Sequence, residues 1–102
     1  MNARQELQYE FDRVGKKPIC AIIEDGWGGD GNMIATLKKG YTDQEFEEFM
    51  NKLDFDYDAG YGAQFIDGTV WFGDGTWLSR GEYDGSEWWM YLSTPKIPDH
   101  LL

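Results

Sequence analysis

GTVWFGDGTWLSRGEYDGSEWWMYL, residues 68–92, holds three apolar runs parted by Gly73-Asp74-Gly75 and Asp84-Gly85-Ser86. Asp-Gly between β-branched and aromatic runs is a strong hairpin signal, so the stretch predicts an antiparallel meander. Upstream, GAQFI followed by Asp67-Gly68 adds a fourth strand-like run and a further turn. A three-residue loop at 73–75 sets Trp71 opposite Trp77 and Val70 opposite Leu78. At the second turn two registers compete. A two-residue loop at Asp84-Gly85 places Glu82 opposite Glu87, and like charges directly opposite are destabilising. A three-residue loop at 84–86 avoids this and is the expected one; it sets Gly81 opposite Trp89. Side chains alternate along a strand, so one face then carries Trp71, Trp77, Tyr83, Trp89 and Tyr91. The other carries Val70, Phe72, Leu78, Trp88, Met90 and Leu92, with Arg80 and Glu82 among them.

The rest of the chain supplies what could cover such a sheet. In YTDQEFEEFMNKL, residues 41–53, Thr42 and Glu45 form a capping box, with Tyr41 and Phe46 at the staple positions. Phe46, Phe49, Met50 and Leu53 give the i, i+3, i+4, i+7 stripe of an amphipathic helix. Leu7, Phe11 and Val14 predict another, with Asn2 as cap and Gly15 as stop. Between the helices, KPICAIIE and NMIATLKKG read as two strands around the glycine-rich DGWGGDGN. The expected fold is α+β over a single domain, residues 1–102: two helices packed on an antiparallel sheet made of an N-terminal hairpin and a C-terminal meander. Either both sheet faces are covered within the fold, or the helices cover one and the aromatic face stays open as a platform for a partner, the role Trp and Tyr often take at interfaces.

The chain has 102 residues and 17% aromatics, enough for a true core. Its net charge of −10 is uneven: residues 1–40 hold six acids and six bases, so the whole surplus lies in 41–102. Such a field repels nucleic acid and membrane surfaces and attracts basic protein surfaces. One cysteine, Cys20, excludes an internal disulfide and reads as a small buried hydrophobe; with no leader-like or membrane-spanning apolar stretch, a cytoplasmic protein is expected.

Candidate chemistry is sparse. Asp54, Asp56 and Asp58 stand at every second position, but Ala59 and Phe65 occupy the places where a calcium loop of the EF-hand type needs Gly and Glu. No zinc set, phosphate loop or dinucleotide fingerprint is present, and the only His, His100, lies far from Cys20. No cofactor or metal is expected. Glu82 and Glu87 are a carboxylate pair of the kind a small hydrolase uses, yet acids are too abundant here for the pair to single out an enzyme, and none is expected. Arg80, among Glu82, Asp84 and Glu87, reads as an ion pair tethering the sheet. In an extended segment, alternate residues repeat every ~6.6 Å, about two phosphate steps of a DNA strand. Asp54, Asp56 and Asp58 therefore suit a nucleic-acid-like charge row, and Asp67, Asp74 and Asp84 are placed at hairpin tips. With Glu87 and the aromatic Trp71, Trp77 and Trp89, these are the candidate partner-binding residues.

In small size, acidity and aromatic richness the chain is similar to phage-encoded inhibitors of bacterial defence, the anti-CRISPR and antirestriction proteins. The resemblance is one of composition over the whole chain and carries no residue roles. It implies a non-enzymatic inhibitor of a basic, nucleic-acid-binding protein, with mimicry of nucleic acid as one route to that inhibition. The alternatives are an immunity-type protein neutralising a cationic toxin, and a structural module, such as a homodimer joined through the Trp71/Trp77/Trp89 face.

Overall fold

The computed structural model describes residues 1–26, 32–57, 64–83 and 86–102. The element order is α1 (Ala3–Val14), β1 (Cys20–Asp25), β2 (Met33–Leu37), α2 (Asp43–Lys52), β3 (Ile66–Trp71), β4 (Thr76–Tyr83) and β5 (Ser86–Ser93), then a short 3-10 turn at Asp99–Leu101. All five strands join one antiparallel sheet in the order β2-β1-β3-β4-β5. The N-terminal hairpin and the meander are thus fused along β1 and β3, and α2 carries the chain from β2 over to β3.

Both helices are bounded as their sequences dictate. Asn2 accepts a hydrogen bond from the Gln5 N–H, and Gly15, at φ 73°, ends α1 in the left-handed conformation that glycine tolerates. Thr42 and Glu45 satisfy each other's backbone N–H groups at the start of α2, and the Tyr41 and Phe46 rings stack 5.8 Å apart. Leu7 and Phe11 from α1 and Phe49, Met50 and Leu53 from and after α2 bury against Ala21, Ile23, Ala35, Leu37, Val70 and Leu78. Every one of these strand residues lies on the same side of the sheet by register. Both helices therefore cover one face.

Two expectations about the meander are corrected. Asp67-Gly68 is not a turn: it lies inside β3, with Asp67 opposite Glu24 and Gly68 opposite Ile23. The glycine serves close approach of two strands, because a Cβ on Gly68 would stand 2.3 Å from the Ile22 carbonyl oxygen. The meander consequently has three strands. The loop at 73–75 falls as expected, with Trp71 opposite Trp77, Val70 opposite Leu78, and Gly75 at φ 83°. The last hairpin takes the register the charge argument disfavours: Glu82 faces Glu87 and Tyr83 faces Ser86. A one-residue slip moves every side chain of a strand to the other face. Trp89 and Tyr91 thereby join the helix-covered side, and Trp88, Met90 and Leu92 come to the uncovered one.

Candidate partner-binding surface

The reason for that register sits in the core. The Arg80 side chain is fully buried between Glu6 of α1 and Glu87 of β5. Arg80 Nη1 donates to Glu6 Oε2 at 3.0 Å; Nη2 donates to Glu87 Oε1 at 2.7 Å and to the Tyr57 hydroxyl at 2.5 Å. Tyr57 donates in turn to Glu6. Glu87 also accepts the N–H groups of Phe65 (2.7 Å) and Ile66 (3.0 Å), and the Trp89 ring lies 4.9 Å from the Arg80 guanidinium carbon. Glu87 is therefore neutralised from inside, and Glu82 opposite meets no bare charge. Burial alone would lower the Arg80 value, but its bonds to Glu87 and Glu6 raise it, so the guanidinium stays charged. Burial first, then the bond to Glu6, pushes the Tyr57 hydroxyl well above its ordinary value. Glu87 and Trp89, expected on the partner surface, are instead interior: Glu87 is 5% exposed and Trp89 7%. Their work is structural, as the tether expected of Arg80.

The acidic candidates that remain are scattered over the molecule. Asp54 and Asp56 are exposed and brought together by Asn2, whose amide donates to both (3.0 and 3.3 Å) at the start of α1. Asp74 lies beyond the other end of α1, in an ion pair with Lys16. Twelve helical residues separate these places by ~18 Å. Asp67 is on the uncovered sheet face. Asp58 and Asp84 lie outside the described residues. The described aspartates thus form no single charged row.

Among the described residues, Asp74 is an acid whose titration the fold changes strongly. The bond to Lys16, then the Thr76 hydroxyl, hold its carboxyl at about 2, below the ordinary 3.8. A carboxyl depressed on folding adds stability that is complete above its ordinary value and lost as pH falls through the folded one. Asp74→Asn should accordingly flatten the decline of the thermal midpoint between about pH 4 and pH 2. An unchanged slope would show that the Lys16 pair is without thermodynamic effect.

What the fold does assemble is the face opposite the helices. Cys20, Ile22 and Glu24 of β1, Asp67, Thr69 and Trp71 of β3, Trp77, Ser79 and Gly81 of β4, and Trp88, Met90 and Leu92 of β5 share it by register. Among the described residues no helix or strand layer covers it. Trp71 and Trp88 are each 41% exposed and Leu92 37%; Trp77 is half-buried, as is Cys20, which was expected in the core. Trp71 and Trp77 are cross-strand partners. Beside them runs a groove of about 410 Å³ lined by Ile19, Cys20, Trp71, Phe72, Trp77 and Thr94.

Trp88, Met90 and Leu92 are members of this face that the expected register placed on the other. The Trp88 ring lies over Gly81, so near that an added Cβ would be 2.9 Å from the indole. Gly81 does not single out Trp88 in the sequence, because either register sets an indole across from it. Glu24 was missed as well, because nothing local pairs it with Asp67.

Among the described residues no three His, Cys, Asp or Glu side chains gather as a metal-binding group, and no helix is long and apolar enough to cross a membrane. No protein-family model, no curated protein and no solved structure matches the chain.

Proposed function

We propose that the protein is a non-enzymatic acidic binding protein that inhibits a basic, nucleic-acid-handling protein by seating it on the uncovered sheet face. The observation that carries this reading is the exposure of Trp71, Trp88 and Leu92, with the half-buried Trp77 beside them, on one face of the sheet, in a chain with net charge −10. Indole rings on a rigid strand scaffold supply large contact area at little entropic cost, and such residues dominate interface energetics. Charge selects among occupants. Nucleic acid is repelled by the surplus carboxylates, and a second copy brings the same −10 to the contact. A cationic protein is attracted at a distance and then buries the rings. This is how an inhibitor of the anti-defence kind would work, but by aromatic docking more than by a mimicked phosphate row, since Asp54, Asp56, Asp67 and Asp74 do not lie along one line.

The test is affinity capture from a bacterial lysate on immobilised wild type and on Trp71→Ser/Trp77→Ser. At about 50 mM salt the wild type should retain a basic nucleic-acid-binding protein, and at about 500 mM, where screening is nearly complete, it should release it. The variant should retain none. Capture that is indifferent to salt, or equal on the variant, overturns the reading.

A further inference from the structure

The uncovered face is not uniformly apolar, and its pattern describes what would lie on it. Trp71 and Trp77 close one end. Glu24 and Asp67 close the other, directly opposite each other across β1 and β3. Between them, in the next row, stand the short side chains of Thr69 and Ser79, flanked by Ile22 and Met90. Asp67 and Trp71 are four residues apart on β3, which is ~13 Å along the strand. The floor is low in the middle, aromatic at one end and doubly anionic at the other.

The anionic end sets two like charges opposite each other, with Asp67 Oδ1 also accepting the Gly68 N–H at 2.8 Å. Opposed side chains in an antiparallel pair are within ~5.5 Å, and like charges there repel. Nothing in strand pairing requires two acids at this register: Thr, or one Lys, would serve a sheet better. A partner's cation placed between them turns the repulsion into two attractions.

We propose, building on the binding role above, that this trough receives an extended, arginine-bearing segment of the basic partner. One guanidinium pairs with Glu24 and Asp67, and a second side chain four positions along the segment packs on Trp71 and Trp77. An extended segment places its i and i+4 side chains ~13 Å apart on one face, the same interval as carboxylates and indoles. Arginine fits better than lysine at both ends. Its planar fork can hydrogen-bond two carboxylates at once and its flat face stacks on indole, whereas an ammonium is a compact hydrated point charge. Arg80, clamped between Glu6 and Glu87 with Trp89 beside it, shows the same chemistry inside the molecule.

The probe is a synthetic nonapeptide of alternating arginine and serine, its lysine counterpart, and a single-stranded DNA of similar length, each titrated calorimetrically. The arginine peptide should bind, the lysine peptide several-fold more weakly, and the DNA not at all. Glu24→Gln/Asp67→Asn should weaken the arginine peptide about tenfold or more, the loss expected with a bidentate ion pair. The same double variant should raise the thermal midpoint, because it removes the opposed charges; this separates lost recognition from lost folding. Glu48→Gln, on the solvent side of α2, should leave affinity within about twofold, as a distant screened charge does. Equal binding of both peptides, or unchanged affinity in Glu24→Gln/Asp67→Asn, overturns the inference. If lysate capture of a basic protein persists on that double variant, the binding role stands and this inference alone fails. If the wild type takes up neither peptide nor protein, both fail.

Discussion

Arg80→Met should lower the free energy of unfolding by about 3–5 kcal/mol, the usual cost of removing one partner from a buried charge group. Methionine occupies similar space, so the loss is electrostatic. Arg80 is the cation shared by Glu6 and Glu87, whose side chains are 12% and 0% exposed. Without it Glu87 keeps, among the described residues, the Phe65 and Ile66 N–H groups, and Glu82 opposite becomes the repulsive neighbour that the register would otherwise forbid. The Arg80→Met/Glu87→Gln double variant should recover part of the loss, since a neutral amide can still meet some of these bonds at no charge cost. Urea unfolding of the three proteins measures this. A loss under about 1 kcal/mol for Arg80→Met, the range of an exposed pair, would mean that the Glu6–Arg80–Glu87 group is not what fixes the last hairpin.

That hairpin marks the boundary of what the chain discloses locally. Caps and stripes depend on residues three or four positions apart, so Asn2, Thr42, Glu45 and Gly15 are legible one turn at a time. The 73–75 loop is equally local, because Gly75 supplies the left-handed residue the loop needs. The Glu82–Glu87 register is not. Its repulsion is visible in the sequence, but its remedy is the Arg80 guanidinium, bonded to Glu87 inside a buried group that Glu6 and Tyr57 complete from elsewhere in the chain. A pairwise rule applied to the two opposed acids leaves out the third charge, Arg80, whose burial against Glu87 depends on the rest of the fold. The adjacent Trp88 and Trp89 made matters worse, since either register puts one indole on the open face. The aromatic platform was therefore foreseeable in kind, while its membership, Trp88 in place of Trp89, depended on a buried arginine. The acidic surface was less legible still. Net charge follows from composition, whereas the placing of Asp54, Asp67 and Asp74 follows from topology, which separates them.

Asp67-Gly68 carries the same lesson from the backbone side, and it makes the second large prediction: Gly68→Ala should cost about 3 kcal/mol, the upper end of what overpacking does. The letters are those of a turn, but Gly68 is paired with Ile23 in the seam that joins the hairpin to the meander. An alanine Cβ there would meet the Ile22 carbonyl oxygen at 2.3 Å and the Ile23 Cα at 3.1 Å, at a φ of 156°. Both obstacles are main chain, so no rotamer change relieves them; β1 and β3 must move apart. Their separation would strip hydrogen bonds from the centre of the sheet and loosen Ile23 and Val70, both fully buried. Gly81→Ala is the matched control. Its nearest obstacles are the Trp88 ring and the Met90 sulfur, side chains on the open face that can swing away, so its cost should stay within about 1 kcal/mol, the scale of an off-rotamer side chain. Hydrogen exchange should then localise the Gly68→Ala damage to the amides of β1 and β3, with α2 and the 73–75 loop protected as before. Equal stability of Gly68→Ala and Gly81→Ala would mean that the β1–β3 seam has slack, and that the two halves of the sheet are held together by the helices above them instead of by their own strand pairing.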